Sequence, residues 1–572
     1  MRTRIFSLIL IICVVFLISG LAYVQIIRHQ TYKVMSEDNR LKVVPLKAPR
    51  GSILDRNGEV LVKDILCFNV AVIYSRIKDK EKLTDALSSL LDADKGEIRK
   101  KIEKGRLQPY TLTQIAGDIG IEKAIHLEEI EMDYPGLLLD VSTKRKYSNG
   151  DAASNILGYL GLINRAEFER LKHYGYRFND LVGRDGVEKY YDNYLRGKHG
   201  GKQVEVDHRG RETTTLGYKE PLPGRDVRLT IDLELQEYCD SLLEDKRGAI
   251  LAIDPANGAV LAMASSPNYD PEVFVNRKDP EGLKNILEDR DYPLLNRAIS
   301  GVYPPGSVFK AIIATGALET GKATPGTEFN CPGTFNMGRR TFRCWRKGGH
   351  GRQSLEEAIK NSCNVYFYQL GLLLGVDNIA SFAEEFGLGE QAGVDLPGEA
   401  GGLLPTRKWK KKRFNEKWFK GETVNYAIGQ GYVLCTPLQI ARMMSVFANK
   451  GFLVKPYVVK KVGEVDTERS ARIKLEISPG SIETVRQGLW KVVNAPRGTG
   501  MKARSNDFEI AGKTGTAQTT RGKSHGWFAG FAPFDDPKLT VVVFDEYGGK
   551  GGYFAAGTAG KVFRKARELD II

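Results

Sequence analysis

The chain has 572 residues, 84 lysines and arginines against 70 aspartates and glutamates, and seven cysteines. That length implies two or three domains with ample core, and so few cysteines exclude a small disulfide-stapled scaffold. The net charge of +14 does not by itself mark a nucleic-acid binder, because the basic residues are interleaved with acids along the chain.

Residues 5–27 carry no charged side chain, and these 23 residues span about 34 Å as a helix, enough to cross a bilayer. A cleaved signal peptide would have a shorter apolar stretch and end near the small residues Gly20 and Ala22. The segment is therefore expected to stay as a single anchor, with everything after it on one side of the membrane. Extended pieces follow, among them "LKVVPLKAPRGSILDRNGEVLV", where Asn57 and Gly58 mark a hairpin turn. One helix is expected within "EKLTDALSSLLDADKGEIRKKIEKG", and residues 134–159 read as loop-rich and basic.

A second module begins near "LPGRDVRLTIDLELQEYCDSLLE", a strand leading into a helix. "RGAILAIDPANGAVLAMASS" then reads as a hairpin turning about Asp254, Pro255, Asn257 and Gly258. The module ends with three further strand candidates, "FEIAGKTGTAQ", "HGWFAGFAP" and "LTVVVFDEY", and a helix over about 557–568. Strands at both ends with helices between them predict an α+β module, an antiparallel sheet flanked by helices. The one dense basic run, "TRKWKKKRFNEKWFKG", is interleaved with aromatic residues. Outside the cytoplasm such a loop meets solvent or anionic lipid rather than nucleic acid.

In "YPPGSVFK" two prolines and a glycine forbid a helix before Ser307, and "SVFKAIIATGALETG" has the composition of one after it. Ser307 is thus expected at a helix start, where unpaired N–H groups and the helix dipole favour a developing oxyanion. Lys310, three residues on, falls on the same face and can take the hydroxyl proton if its pKa is lowered. Two more polar sets lie in this module: Ser362 and Asn364 around Cys363 in "NSCNVYFYQLG", and Lys513, Thr514, Gly515 and Thr516 in "GKTGT". A phosphate-binding loop would need glycine at position 507, where the chain has Asp507.

Ser-x-x-Lys, Ser-x-Asn and Lys-Thr-Gly in this order form the set found in penicillin-binding proteins and serine β-lactamases. The chain resembles the class B penicillin-binding proteins over nearly its whole length, through "APRGSILDRNGEVL", "VGRDGVEKYYDNYLRGKHG", "PGRDVRLTIDLELQ" and "AIGQGYVLCTPLQIARMMSVFANKG". The segment "LPTRKWKKKRFNEKWFKGET" is similar to the elongation-type members. It departs from the usual pattern at Ser148, where proline is common, and at Asn155, where histidine is frequent. The resemblance implies an anchor over 1–27, a pedestal (dimerisation-type) domain over 28–225 and a transpeptidase domain over 226–572.

It also implies a D,D-transpeptidase of the bacterial inner membrane, inhibited by β-lactams, that cross-links peptidoglycan stem peptides. Partners would be a SEDS-family glycosyltransferase and other elongation-complex proteins, held through the pedestal, and no nucleic acid. Ser307 would be the nucleophile, Lys310 its base, Ser362 a proton relay and Asn364 an orienting amide. Lys513, Thr514 and Thr516 would hold the substrate carboxylate, and the N–H groups of Ser307 and Thr516, beside Gly515, would form the oxyanion hole. A β-lactamase would need a glutamate motif for water delivery between Ser362 and Lys513. A β-lactam sensor would need an inward signalling element, and only four residues precede the apolar run. Finally, Cys331, Cys344, His350 and Cys363 share one window. Three thiols and an imidazole suit structural zinc, while a Cys331 to Cys344 disulfide is the alternative outside the cytoplasm.

Overall fold

In a computed structural model of the chain, residues 2–33, 41–178, 180–207, 212–275, 279–467, 471–519 and 522–572 are described. The apolar start forms a helix, Arg2–Ala22, that continues through a wider π-helical turn at Tyr23–Ile27. The stretch Arg4–Ile27 is long and apolar enough to cross a membrane, and none of its most apolar window is buried.

The chain packs as two discontinuous units, the first of which includes this helix. Met1–Gly51, Asp64–Arg145 and Arg196–Gly224 form one, and Ser52–Lys63, Lys146–Leu195 and Arg225–Ile572 the other. The last crossing between the units falls at Gly224–Arg225, near the expected boundary, but 52–63 and 146–195 from the expected 28–225 domain join the C-terminal unit. Ile53, Leu61, Val62, Tyr147, Ile156 and Val187 are buried in the same cluster as Val227 and Leu251, which is the physical reason. Ser148 and Asn155 follow, with Ser148 N donating to Leu61 O (2.9 Å) and Asn155 Nδ2 to Ser265 O (3.5 Å).

In the N-terminal unit, the single helix expected over 81–105 is two helices, Lys80–Leu91 and Lys95–Lys104, separated where Asp92 turns to φ 58°. Each begins with an aspartate cap, Asp79 accepting from Lys82 N and Asp94 from Glu97 N, both at 3.0 Å. Leu83 and Leu87 on one and Ile98 and Ile102 on the other, each an i,i+4 pair, meet Val70, Val72 and Ile115 in a small core. Residues 134–159 are not mainly loop, since Leu137–Tyr147 is a strand pairing with Val60–Ile73. Its lysines, arginine, serine and threonine masked it by composition. A three-stranded sheet of Leu41–Leu46, Gly200–Val206 and Glu212–Lys219 belongs to the same unit.

The C-terminal unit is built on a five-stranded antiparallel sheet in the order Val260–Ser266, Gly248–Ile253, Leu539–Asp545, His525–Ala532, Ala511–Ala517. Every residue of Gly248–Ile253, His525–Ala532 and Leu539–Asp545 is buried, which requires helices on both faces. Leu233–Leu242 and Phe554–Glu568 pack on each other and on the sheet, as do Pro437–Ala448 and Pro479–Asn494. Ala511–Ala517 is an edge strand, paired through Lys513↔Ala529 and Gly515↔Trp527 on one side only. The strand packs against the turn that carries Ser307.

Candidate active site

Ser307 lies in a 3-10 turn, Gly306–Phe309, and the α-helix proper starts at Lys310 and runs to Glu319. The serine is thus one turn ahead of the helix rather than its cap. The turn is clamped on three sides. Gly306 (φ +56°) donates its N–H to Gly429 O at 2.9 Å, and Trp527 Nε1 donates to Pro304 O at 3.0 Å. A Cβ on Gly429 would stand 2.1 Å from Gly306 O, and one on Gly515 would stand 3.0 Å from Pro305 O. Glycine is required at both positions for this approach of backbone to backbone.

Lys310 is fully buried. Its Nζ donates to Asn364 Oδ1 (2.8 Å), Ser362 O (2.9 Å) and Ser362 Oγ (3.3 Å), so all three acceptors come from the second motif. Burial brings the ammonium down to about 8 from its ordinary value, with the Cys363 and Cys344 thiols opposing the fall. Ser362 is a non-glycine residue at φ +49°, the link between helices Leu355–Lys360 and Asn364–Leu374. The conformation costs on the order of 1–3 kcal/mol. It is held by Ser362 N donating to Ile359 O (3.1 Å) and Cys363 N to Ala358 O (2.9 Å).

On the edge strand, alternate residues face opposite ways. Lys513 and Gly515 share one face and Thr514 and Thr516 the other. Lys513 is fully buried, its Nζ donating to Thr514 O at 3.0 Å. Burial and the nearby Lys310 charge hold it well below the usual lysine value. Thr516 is exposed, and its Oγ accepts from Gly551 N at 3.4 Å, leaving its own hydrogen to donate outward. Thr514 is buried, and its hydroxyl donates to Thr499 Oγ at 3.1 Å.

Two functional neighbours escaped the sequence reading. Thr499 Oγ donates to Lys360 O (3.2 Å) while accepting from Thr514, so one hydroxyl ties the edge strand to the end of the helix before Ser362. Gln430 Nε2 donates to Thr516 O at 3.3 Å. Thr499 sits in "RGTG", a turn-like stretch with no chemical signature.

Cys331, Cys344, His350 and Cys363 converge, with their ligand atoms all within 4.8 Å of one another. The three thiols are buried, and every cysteine in the chain is free. His350 Nδ1 faces two of them, 3.6 Å from Cys331 Sγ and 3.5 Å from Cys344 Sγ. The loop is folded tightly enough for this because Gly333 (φ +97°) and Gly349 (φ +73°) let it cross itself, Cys344 N donating to Gly333 O (2.8 Å) and His350 N to Cys331 O (3.0 Å). Hydrogen bonding between Cys344 and Cys363 pulls the former thiol well below its usual value and pushes the latter well above. Donor type and closeness fit a tetrahedral soft-metal site.

Comparison with known proteins agrees with this geometry. The family described as "Penicillin-binding Protein dimerisation domain" matches residues 45–229, and "Penicillin binding protein transpeptidase domain" matches 248–568. Peptidoglycan D,D-transpeptidase MrdA of Haemophilus influenzae is 34% identical over 96% of this chain and 88% of its own length. The structure of penicillin-binding protein PBP2 with MreC from Helicobacter pylori superposes with a TM-score of 0.82 at 32% identity, covering 93% of this chain and all of that one. A chain from a structure described as "Structural coordination of polymerization and crosslinking by a peptidoglycan synthase complex" gives 0.77 at 34% identity, covering 98% of this chain and 97% of that one. The transpeptidase match spans more than half of the chain and encloses the Ser307, Ser362 and Lys513 motifs, so the chain belongs to the penicillin-binding protein family.

Proposed function

We infer that the chain is a serine D,D-transpeptidase that cross-links peptidoglycan stem peptides and is acylated by β-lactams. The observation that carries this is the Lys310 ammonium, buried one turn after Ser307 and gripped by Ser362 and Asn364 beside the edge strand of Lys513. A stem peptide lies along the free edge of that strand as an added strand. Neutral Lys310 takes the Ser307 hydroxyl proton as Oγ attacks the carbonyl of the penultimate D-alanine. The oxyanion is held by the N–H groups of Ser307 and Thr516, each donor supplying roughly 3 kcal/mol of barrier reduction. The C–N bond breaks, the proton passes from Lys310 through Ser362 Oγ to the departing amine, and D-alanine leaves. An amine of a neighbouring strand then attacks the ester and loses its proton to Lys310, which returns it to Ser307 Oγ as the ester C–O bond breaks and the new amide remains.

The terminal carboxylate meets the exposed Thr516 hydroxyl, and its negative charge favours protonation of Lys513. Ser307→Ala should abolish labelling by a fluorescent penicillin with the melting temperature unchanged; undiminished labelling would refute the assignment. A β-lactamase or a sensor is disfavoured by the dimerisation domain matched over 45–229. The Arg4–Ile27 helix would hold the chain in the inner membrane, with the rest outside the cytoplasm. By analogy with the MreC-bound relative and the synthase complex, the partners would be elongation-complex proteins and a RodA-like SEDS glycosyltransferase.

We propose in addition that Cys331, Cys344, His350 and Cys363 bind one structural zinc. The supporting observation is four donors of the right type within 4.8 Å and without a disulfide. When bound, the metal supplies a cross-link between the 331–350 loop and the Ser362–Asn364 turn, and it takes no part in acyl transfer. Purified protein should contain about one zinc per chain. Cys363→Ser should lose the metal and lower the melting temperature, and metal-free protein with an unchanged melt would overturn the proposal.

A further inference from the structure

The basic run that the sequence singles out forms a helix, Arg407–Phe414, and a return segment into a second helix, Lys420–Tyr426. Alone, Arg407–Phe414 is a poor helix, because Arg407 with Lys411 and Lys408 with Lys412 are like-charge i,i+4 pairs, each destabilising by a few tenths of a kcal/mol. The fold nevertheless pins it in place. Thr406 caps it, accepting from Trp409 N at 3.0 Å. Lys410 is buried in an ion pair with Glu422 and packs 4.5 Å from the centre of the Phe419 ring. Trp409 and Phe414 pack on Tyr432 at 5.1 and 5.5 Å between ring centres. One lysine is thus neutralised and buried to hold the helix, while Lys408, Lys411, Lys412, Arg413, Lys417 and Lys420 are exposed and form no ion pair among the described residues.

This cationic ridge is joined to the cleft on two sides. Tyr432 follows two residues after Gln430, which holds Thr516 O. A Cβ on Gly421 would stand 3.9 Å from Arg340 Nη1 and 3.5 Å from Phe342 Cζ, so the ridge runs onto the hairpin of Thr334–Met337 and Arg340–Arg343. That hairpin ends at the catalytic turn, where Arg343 O accepts from Asn364 Nδ2 (3.5 Å) and Tyr368 OH (3.1 Å). The exposed positive charge therefore begins beside Asn364 and continues outward across the rim.

We propose that this ridge is a second binding site for the substrate polymer, an exosite that holds the carboxylates of stem peptides further along the strand whose own stem enters the cleft. The inference rests on the transpeptidase reading. A stem peptide in the cleft is tethered to a polymer that must leave over a rim. A rim of unpaired lysines and arginines complements the repeated carboxylates of that polymer. Each contact is weak in water, but several on one strand act together through their high effective concentration. A β-lactam is too small to reach the ridge and gains nothing from it.

The test uses the full-length chain in detergent, with the triple variant Lys408→Ser, Lys412→Ser, Lys417→Ser and its Lys→Arg counterpart. The probe is uncross-linked peptidoglycan strands trimmed of both D-alanines, so that the cleft is not addressed, together with the same strands after carboxyl amidation. Expected are unchanged penicillin labelling, about tenfold weaker strand binding for the serine variant at low salt, retained binding for the arginine variant, and a matching loss when wild type meets amidated strands. Wild-type-like strand binding by the serine variant overturns the proposal. So does a wild type indifferent to amidation, a measurement that stands even if the variant misfolds. A serine variant that loses binding only to phosphatidylglycerol vesicles would assign the ridge to lipid and likewise overturn it. Failure of the wild type to label with penicillin would instead strike the transpeptidase reading.

Discussion

Lys310 can act as base only when neutral, and its surroundings set the pH at which that happens. Burial brings it to about 8, against 10.5 for an ordinary lysine. The neutral fraction is then about one-tenth at pH 7, half at pH 8 and nine-tenths at pH 9. Since the depressed value favours the free base, acylation should rise with pH, by about tenfold between pH 7 and 9, and level off above that. An unburied lysine would have a neutral fraction of only about three in ten thousand at pH 7, and its profile would climb about tenfold per unit to about pH 9 and still be rising at pH 10. The assay is the second-order rate constant for labelling by a fluorescent penicillin, measured from pH 6 to 10. Asn364→Ala removes the 2.8 Å acceptor of Lys310 Nζ, which withdraws a partner that favours the charged form. Its midpoint should shift down while the plateau falls. A wild-type profile that is flat, or that still rises steeply at pH 10, would refute Lys310 as the base at this site.

Gly429→Ala places a methyl group 2.1 Å from Gly306 O at φ +70°; left-handed strain alone costs about 1–2 kcal/mol, so acylation should fall by tenfold or more, and an unchanged rate would show that the Ser307 turn is not clamped there. Thr499→Val removes the hydroxyl between Thr514 and Lys360 O. That is worth about 1 kcal/mol, or about fivefold in acylation, with Thr499→Ser restoring the rate; equal loss in both variants would point to packing instead. Lys513 must be charged to favour a carboxylate, and it is held below its ordinary value. Apparent KM for a D-Ala-D-Ala peptide should therefore rise as pH rises, in the direction opposite to the gain in acylation rate, and a KM independent of pH would remove Lys513 from carboxylate recognition.

The chemistry was legible in the sequence because it rests on short motifs whose residue types have few alternatives. Lys310 is brought to Ser362 and Asn364, 52 and 54 positions away in the chain, by hydrogen bonds that join two of those motifs. The sheet was legible too, since Gly248–Ile253 and Val541–Phe544 are uninterrupted apolar runs that suit a doubly covered strand. What stayed hidden depends on partners distant in sequence. Nothing local marks Thr499 as the tie between two motifs, because its role exists only once Thr514 and Lys360 are its neighbours.

The same holds for segments 52–63 and 146–195, whose apolar residues are too few to announce which unit they complete. The Leu137–Tyr147 strand was missed for a different reason: half of its residues are polar, so period-two alternation was diluted by charge. The basic helix combines both problems. Its composition reads as a solvated loop, and its helical form follows from Lys410, Trp409 and Phe414 finding Glu422 and Tyr432. A sequence that spends a buried ion pair and two aromatic side chains to hold six unpaired cations beside a catalytic cleft is not minimising its own free energy there. The proposed occupant, the anionic polymer tethered in the cleft, would offset the mutual repulsion of these cations.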